Sequence, residues 1–181
     1  ETIGRALGAT LPAIARKPLE QPASLLRANT RDTLYLITAR GRAVGLPVHR
    51  VPEADEVGKG QRVGEVTPLG RDDHLAAALV LPGNGDRPPG FLFLTTLAGV
   101  VKRVRLEDLP GVTTEPFTVM NVAEDDALGW ARVTTGENEV LLATSSGLAI
   151  RFSEDSVRPM GLPAAGVMGI KLDNETDGVI G

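Results

Sequence analysis

Apolar and polar positions along the chain follow one scheme three times. In each case an apolar run leads into Thr or Ser, then a glycine, and then a second apolar run. The three stretches are residues 34–45, 91–103 and 140–151, with their glycines at Gly41, Gly99 and Gly147. Two short apolar runs joined through a glycine turn are typical of a β-hairpin. The pattern therefore predicts three copies of one hairpin.

An acidic turn follows each hairpin and keeps a steadier distance from its glycine than the glycines keep from each other. These turns are centred on Asp73, Asp126 and Asp177. The three glycines are 58 and 48 residues apart, so each unit is long enough for a four-stranded propeller blade. With 21 Gly and 13 Pro, the chain leaves little room for long helices. We expect an all-β fold, a propeller-like array with about three and a half blades present.

The repeat also predicts how the array divides. Residues 1–22 have the pattern of the second half of a first blade, and ranges 23–73, 74–126 and 127–181 each hold one further blade. All four ranges are expected to belong to one domain or fragment. Because the sequence begins at Glu1, without a methionine, we expect the natural N-terminus to lie upstream.

Composition narrows the classes of chemistry that are open to the chain. There is no cysteine, which excludes disulfides and thiolate chemistry. The two histidines, His49 and His74, have no thiol partner, and there is no Gly-x-Ser-x-Gly motif. Residues 173–178 carry closely spaced carboxylates, and we expect them to form a turn instead of a calcium site. No apolar run approaches the roughly 18 residues of a membrane span. We expect no catalytic site, metal or cofactor, no membrane contact, and a cytoplasmic location.

Charge is distributed unevenly along the chain. The net charge is −4, yet residues 1–50 hold eight basic and three acidic side chains. A basic edge on an acidic body suits a polyanion that touches one edge only. Uneven surface charge without a partner is an equally open interpretation of the same numbers.

Particular stretches resemble a known family. They are residues 25–34, the Gly41-Arg42 turn, residues 51–54, and residues 153–172 with their Ser-Val-Arg-x-Met-Gly and Gly-Val-x-Gly-Ile blocks. This pattern resembles the C-terminal domain of bacterial DNA gyrase A and the related domain of topoisomerase IV, which the sequence does not separate. The resemblance implies a β-pinwheel, a disc of about six four-stranded blades in the full domain, in which neighbouring blades exchange strands.

The resemblance also implies a function. In that family a basic outer rim binds double-stranded DNA without reading its sequence and bends it, presenting a segment for strand passage. The implied partners are DNA, the ATPase subunit of the topoisomerase and the cleavage core of the parent chain. The parent would be an ATP-dependent type IIA topoisomerase, whose catalytic tyrosine lies in another domain. The fragment itself is therefore expected to have no catalytic activity.

Basic residues carried over from the resemblance are the candidates for DNA contact. Those on the outer rim or in its loops are Arg5, Arg16, Lys17, Arg40, Arg42, Lys59, Arg62, Lys102, Arg103, Arg105, Arg151 and Arg158. The gyrase-A box, Gln-Arg-Arg-Gly-Gly-Lys-Gly, aligns with residues 4–10, where only Arg5 and Gly8 match. A weakened wrapping role, as in topoisomerase IV, is thus an open alternative to gyrase. A propeller-like protein-interaction scaffold without DNA binding is a further alternative, which the acidic net charge favours.

Overall fold

The structure is a computed structural model that describes residues 1–6, 23–54, 59–83 and 87–181. Within these residues the secondary structure is almost all β, with one turn of α-helix, α1, at Val63–Val66. None of the helices in the described part of the chain is long and apolar enough to cross a membrane. The strands are β1 Thr2–Ile3, β2 Thr33–Thr38, β3 Arg42–Pro47, β4 Gln61–Arg62, β5 Leu75–Leu81, β6 Phe91–Thr96, β7 Val100–Arg105, β8 Phe117–Thr118, β9 Leu128–Thr134, β10 Glu139–Ala143, β11 Ala149–Ser153 and β12 Val167–Met168. The all-β prediction is confirmed.

Two sheets have four antiparallel strands each. Their strand orders are β5-β2-β3-β8, which we call the first sheet, and β9-β6-β7-β12, the second sheet. In both, the predicted hairpin lies at the centre, a long strand flanks one side, and a two-residue strand closes the other. Strand β8 follows β7 along the chain but pairs with β3. Neighbouring units thus exchange strands, as the resemblance implies.

Because of strand exchange, the sheets do not coincide with the predicted blade ranges. The first sheet takes its hairpin from range 23–73 and both flanking strands, β5 and β8, from range 74–126. The second sheet takes β9 and β12 from range 127–181 in the same way. The blade ranges describe the sequence repeat and stay predictions. Each of the ranges 23–73, 74–126 and 127–181 contributes strands to two different sheets.

Two smaller sheets lie outside these. Strand β1 pairs with β4, and β10 pairs with β11, which we call the third hairpin. The β1–β4 pairing matches the β7–β12 pairing in direction and in position along the repeat, with Ile3 opposite Gln61 and Val101 opposite Val167. Each small sheet therefore contains part of the same four-stranded plan.

Apolar cores lie between successive sheets. One face of the second sheet, with Val104, shares a core with Tyr35 and Ile37 of the first sheet. Its other face, with Val101, packs against Leu142 of the third hairpin. A third core covers the remaining face of the first sheet. Since each core joins neighbouring units, burial in one unit depends on the next.

The three hairpins share one turn. The glycines have φ values of 72° at Gly41, 85° at Gly99 and 84° at Gly147, a region that favours glycine. Three residues before each glycine, a buried threonine accepts a hydrogen bond from the amide that follows the glycine. The pairs are Thr38 with Arg42 at 3.2 Å, Thr96 with Val100 at 3.1 Å and Thr144 with Leu148 at 3.3 Å. The repeated Thr-to-Gly spacing thus encodes a hydrogen-bonded turn.

Candidate nucleic-acid interface

The acidic turns fold back against the glycine turns of their own units. Asp126 accepts a hydrogen bond from the Ala98 amide at 2.9 Å, and Asp177 accepts one from the Ser146 amide at 2.9 Å. In the first unit Asp73 lies 3.4 Å from Arg42. Each of these carboxylates is fixed beside a glycine turn. We call this side of the array the glycine-turn end, and it carries ordered negative charge.

Asp177 shows how firmly one of these carboxylates is held. Burial by itself would raise its pKa, but hydrogen bonds from the Ser146 and Asp173 amides and from the Ser145 hydroxyl outweigh that effect. Together they hold the pKa of Asp177 well below its usual range, so the group is charged at neutral pH. In the described part of the chain, no three His, Asp or Glu side chains gather as a metal site would need. The acidic turns are built to stabilise the hairpins.

Two predicted DNA contacts lie at the glycine-turn end. Arg40 is exposed and donates through Nη1 to the carbonyls of Glu124 at 2.8 Å and Asp126 at 3.3 Å. Arg42 pairs with Asp73. Both guanidinium groups are already held by the acidic turns beside them, where phosphate would meet like charge.

Lys102 and Arg103 are not on an exposed surface, and this part of the site prediction is wrong. Lys102 is 0% exposed, and Arg103 is also buried. Their strand, β7, has one face against the first sheet and the other against the third hairpin, so both side chains enter cores. The Arg103 guanidinium lies over the Phe91 ring at 4.3 Å and 4.0 Å from Glu154. A local strand pattern does not reveal that both faces of the sheet are covered.

Candidates near the start of the chain divide into two kinds. Arg5 donates to the Val51 carbonyl at 2.7 Å and pairs with Glu53 at 2.9 Å. It occupies the position in the repeat that Arg103 occupies in the second sheet, and the backbone of each arginine forms an isolated parallel β-bridge. Lys59 and Arg62 are exposed. Arg16 and Lys17 lie outside the described residues, as do residues 7–10 of the aligned gyrase-A box.

The remaining candidates are exposed on the second sheet and beyond. Arg105 lies 4.0 Å from Glu107, and Arg151 lies 3.5 Å from Glu139. Exposed pairs of this kind stabilise a fold little and leave the cation accessible. Arg158 is exposed as well. These three side chains are open to solvent, but acidic neighbours accompany the first two.

Sequence reasoning missed a basic group at the opposite side of the first sheet. The Val48 amide donates to the Asp32 carbonyl at 3.0 Å, which places the turn of Arg31 against the turn of Arg50. Both arginines are exposed, as is Arg27, four residues before Arg31 in the sequence, and within the described residues none of the three side chains has an ion pair or hydrogen bond. We call these three residues the basic end. The only signal for them in the sequence is the positive balance of residues 1–50.

These features define a class of protein: a propeller-like repeat domain, closed by exchanged strands, whose candidate chemistry lies in charged surfaces. The family model described as DNA gyrase C-terminal domain, beta-propeller, matches residues 32–82, 90–134 and 138–181. The chain belongs to this family, which confirms the resemblance.

Sequence and structural similarity to known proteins supports that membership. The DNA gyrase A protein of Haemophilus influenzae is 34% identical over 148 residues, which cover 82% of this chain and 17% of that protein. The crystal structure of the C-terminal domain of DNA topoisomerase IV matches with a TM-score of 0.80 and 31% identity, covering 93% of this chain and 51% of that one. The E. coli ParC C-terminal domain, at 13% identity and a TM-score of 0.77 over 99% of this chain and 74% of that one, shares the fold. The chain thus spans a small part of the gyrase A relatives and half of the topoisomerase IV domain.

Proposed function

We propose that this domain binds double-stranded DNA through its phosphates, without base readout, and bends it for a type IIA topoisomerase. Family membership supports the topoisomerase setting. The observation that carries the DNA contact is the basic end, where Arg27, Arg31 and Arg50 are exposed and have no partner among the described residues. Protein cations that neutralise phosphates release the counterions condensed on the DNA, and this release is the main source of affinity in binding of this kind.

The distribution of charge favours a particular path for the DNA. At the glycine-turn end the carboxylates of Asp73, Asp126 and Asp177 are fixed in place, and Arg42 is already paired. A phosphate backbone is repelled there and attracted to the basic end. We therefore propose that DNA crosses the basic end of the first sheet. From there it continues past exposed cations such as Arg105, Arg151 and Arg158.

Bending follows from the repeat. Successive units present cations along an array of stacked sheets, and DNA that follows them is deformed at a cost repaid by further phosphate contacts. In this proposal the domain has no catalytic activity of its own and acts in the cytoplasm. It delivers DNA to the cleavage core of its parent chain, which works with the ATPase subunit. The gyrase-like and topoisomerase-IV-like versions differ in whether the degenerate box still supports chiral wrapping.

Charge reversal with a matched control tests the DNA contact. In Arg31→Glu/Arg50→Glu, duplex affinity at low salt falls by about 100-fold, and the salt slope decreases by about two. Arg71→Glu changes an exposed arginine at the glycine-turn end, so its affinity stays within about threefold. Fluorescence anisotropy with a labelled 40-base-pair duplex measures both. Absence of duplex binding by the unaltered protein at low ionic strength would overturn the proposal.

A protein-interaction scaffold is the second candidate. The net charge of −4 and the acidic glycine-turn end favour a basic protein partner over DNA. The same titration separates the two candidates, since the scaffold predicts no duplex binding and no response to the Arg31 and Arg50 changes. For the gyrase question, a topology assay on circular DNA with the whole parent protein distinguishes negative supercoiling from relaxation.

A further inference from the structure

Lys102 is a buried cation at a position where the other units are apolar. Its equivalents after the glycine turn are Val44 in the first unit and Ile150 in the third. The Nζ atom donates to three backbone carbonyls, those of Val119 at 2.8 Å, Leu162 at 2.5 Å and Ala164 at 2.9 Å. Three acceptors match the three N–H donors of an ammonium group, so the buried charge is fully hydrogen-bonded.

These three carbonyls come from two segments that close different sheets. Val119 directly follows β8, the strand that closes the first sheet. Leu162 and Ala164 precede β12, the strand that closes the second sheet. The segments also meet directly, because the Asn121 amide donates to the Ala164 carbonyl at 3.2 Å. Lys102 thus lies where both closing segments and the core between the two sheets come together.

Loss of this ammonium group would leave a defined defect. Burial lowers the pKa of Lys102 to about 8, which shows that its charge is held at a cost. Without Nζ, the Val119 and Leu162 carbonyls would lose this donor, and the Ala164 carbonyl would keep only the Asn121 amide. Buried acceptors without partners favour rearrangement. The two closing segments are the parts expected to move, since each pairs with its sheet over a strand of only two residues, with further backbone hydrogen bonds to the glycine turn.

We propose that Lys102 is a positioning residue that fixes the first sheet relative to the second, and thereby sets the curvature of DNA held along the domain. The contacts of Lys102 by themselves link the two sheets, whereas its effect on DNA curvature rests on the proposed function. In this role Lys102 never touches DNA, because it is buried.

The arrangement of the sheets can be measured without DNA. Because the chain has no cysteine, His49→Cys/Glu107→Cys places one spin label on each sheet, in equivalent exposed turns. In Lys102→Met, the distance distribution from pulsed electron paramagnetic resonance shifts by about 1–2 Å or more and broadens, as interfaces do when they repack. Lys171→Met, the same change at an exposed lysine, leaves it unaltered. An unchanged distribution in folded Lys102→Met would overturn the proposal.

DNA curvature is the second readout. At saturating protein, energy transfer between dyes at the two ends of a duplex falls in Lys102→Met, while the dissociation constant stays within about threefold because no phosphate contact is lost. Lower affinity with unchanged transfer would contradict a positioning role. Should Lys102→Met not fold, Lys102→Gln keeps two N–H donors and is expected to give an intermediate distribution. Absence of duplex binding would end the proposed function, but the label distances would still decide the role of Lys102.

Discussion

The hairpin of β6 and β7 and the third hairpin share one turn but differ in what lies beside them. In the second sheet, the Gly99 carbonyl accepts from the Gly169 amide at 2.8 Å, and Ile170 packs over the turn. Beside Gly147 of the third hairpin there is nothing within 4 Å of an added Cβ. The repeated sequence therefore specifies the hairpin and its turn. The residues that cover the turn in the second sheet come from a segment later in the chain.

Exposure of equivalent side chains shows the same difference. Phe93 is 5% exposed in the second sheet, but Leu141, its equivalent, is 65% exposed. Lys102 is fully buried, whereas Ile150 is 39% exposed. On its other edge the third hairpin does begin the common plan, since the Ala143 amide donates to the Gly181 carbonyl at 2.7 Å. A hairpin with so little cover is stabilised mainly by its one packed face.

The largest expected difference between the two regions is in apolar burial. Phe93→Ala removes a ring from the core between the second sheet and the third hairpin, so it lowers the free energy of unfolding by about 3–5 kcal/mol. Leu141→Ala removes a side chain that is mostly in water and costs less than about 0.5 kcal/mol. Urea unfolding followed by circular dichroism measures both values. Equal losses would show that Leu141 is covered in solution.

The turn glycines give the next largest effect. In Gly99→Ala the new Cβ would lie 2.5 Å from the Ile170 carbonyl oxygen, in addition to the unfavourable positive φ. We expect a loss of about 3 kcal/mol or more. Gly147→Ala has the same φ but open space, so only the backbone strain of about 1–2 kcal/mol remains. The pair is compared by urea unfolding, and a larger loss at Gly147 would contradict the description of that turn as uncovered.

Lys102 makes the stability of the second sheet depend on pH. Burial lowers its pKa from 10.5 to about 8 in the folded state, so between these values the unfolded chain binds more protons than the folded one. The free energy of unfolding therefore rises with pH in that window, by at most about 1.4 kcal/mol per pH unit. Lys102→Ile, which installs the residue of the third hairpin, abolishes the slope.

That measurement is made by urea unfolding between pH 8 and 9.5. Burial raises the pKa of Tyr35, so above pH 10 the ionisation of the unfolded chain would lower stability and mask the effect. A slope of the same size in both proteins would assign the pH dependence to another group.

The smallest difference is expected where the two regions are alike. Thr96→Val and Thr144→Val each remove a buried hydroxyl oxygen that accepts a hydrogen bond from the amide four residues later. Each is expected to cost about 1 kcal/mol. Hydrogen exchange of the Val100 and Leu148 amides reports the two turns separately. A loss confined to the second sheet would mean that the turn depends on its cover.

Local features of the fold were predictable from the sequence. Apolar runs and glycine turns predicted the hairpins because both depend on residues close along the chain. Strand exchange followed only from the family resemblance, since no local pattern indicates that β8 pairs with β3 instead of β7.

The candidate site shows the limits of local reasoning more clearly. A basic residue in a strand is usually solvated, which predicts Lys102 and Arg103 at the surface, but the cover on both faces of β7 is a tertiary property. Conversely, Arg31 and Arg50 belong to no repeat and are brought together only by the bond between Val48 and Asp32. Charge in this domain is placed by contacts between units, which the repeat alone does not record.

Strand exchange also has a consequence for biosynthesis. The hairpin of β2 and β3 emerges from the ribosome well before β8, which closes the same sheet only after β6 and β7 have been made. Each four-stranded sheet can therefore be completed only after the following unit has been synthesised. During translation we expect folding to follow synthesis with a delay of one unit. A premature stop within one unit would leave the preceding sheet open, with an unpaired edge available for aggregation.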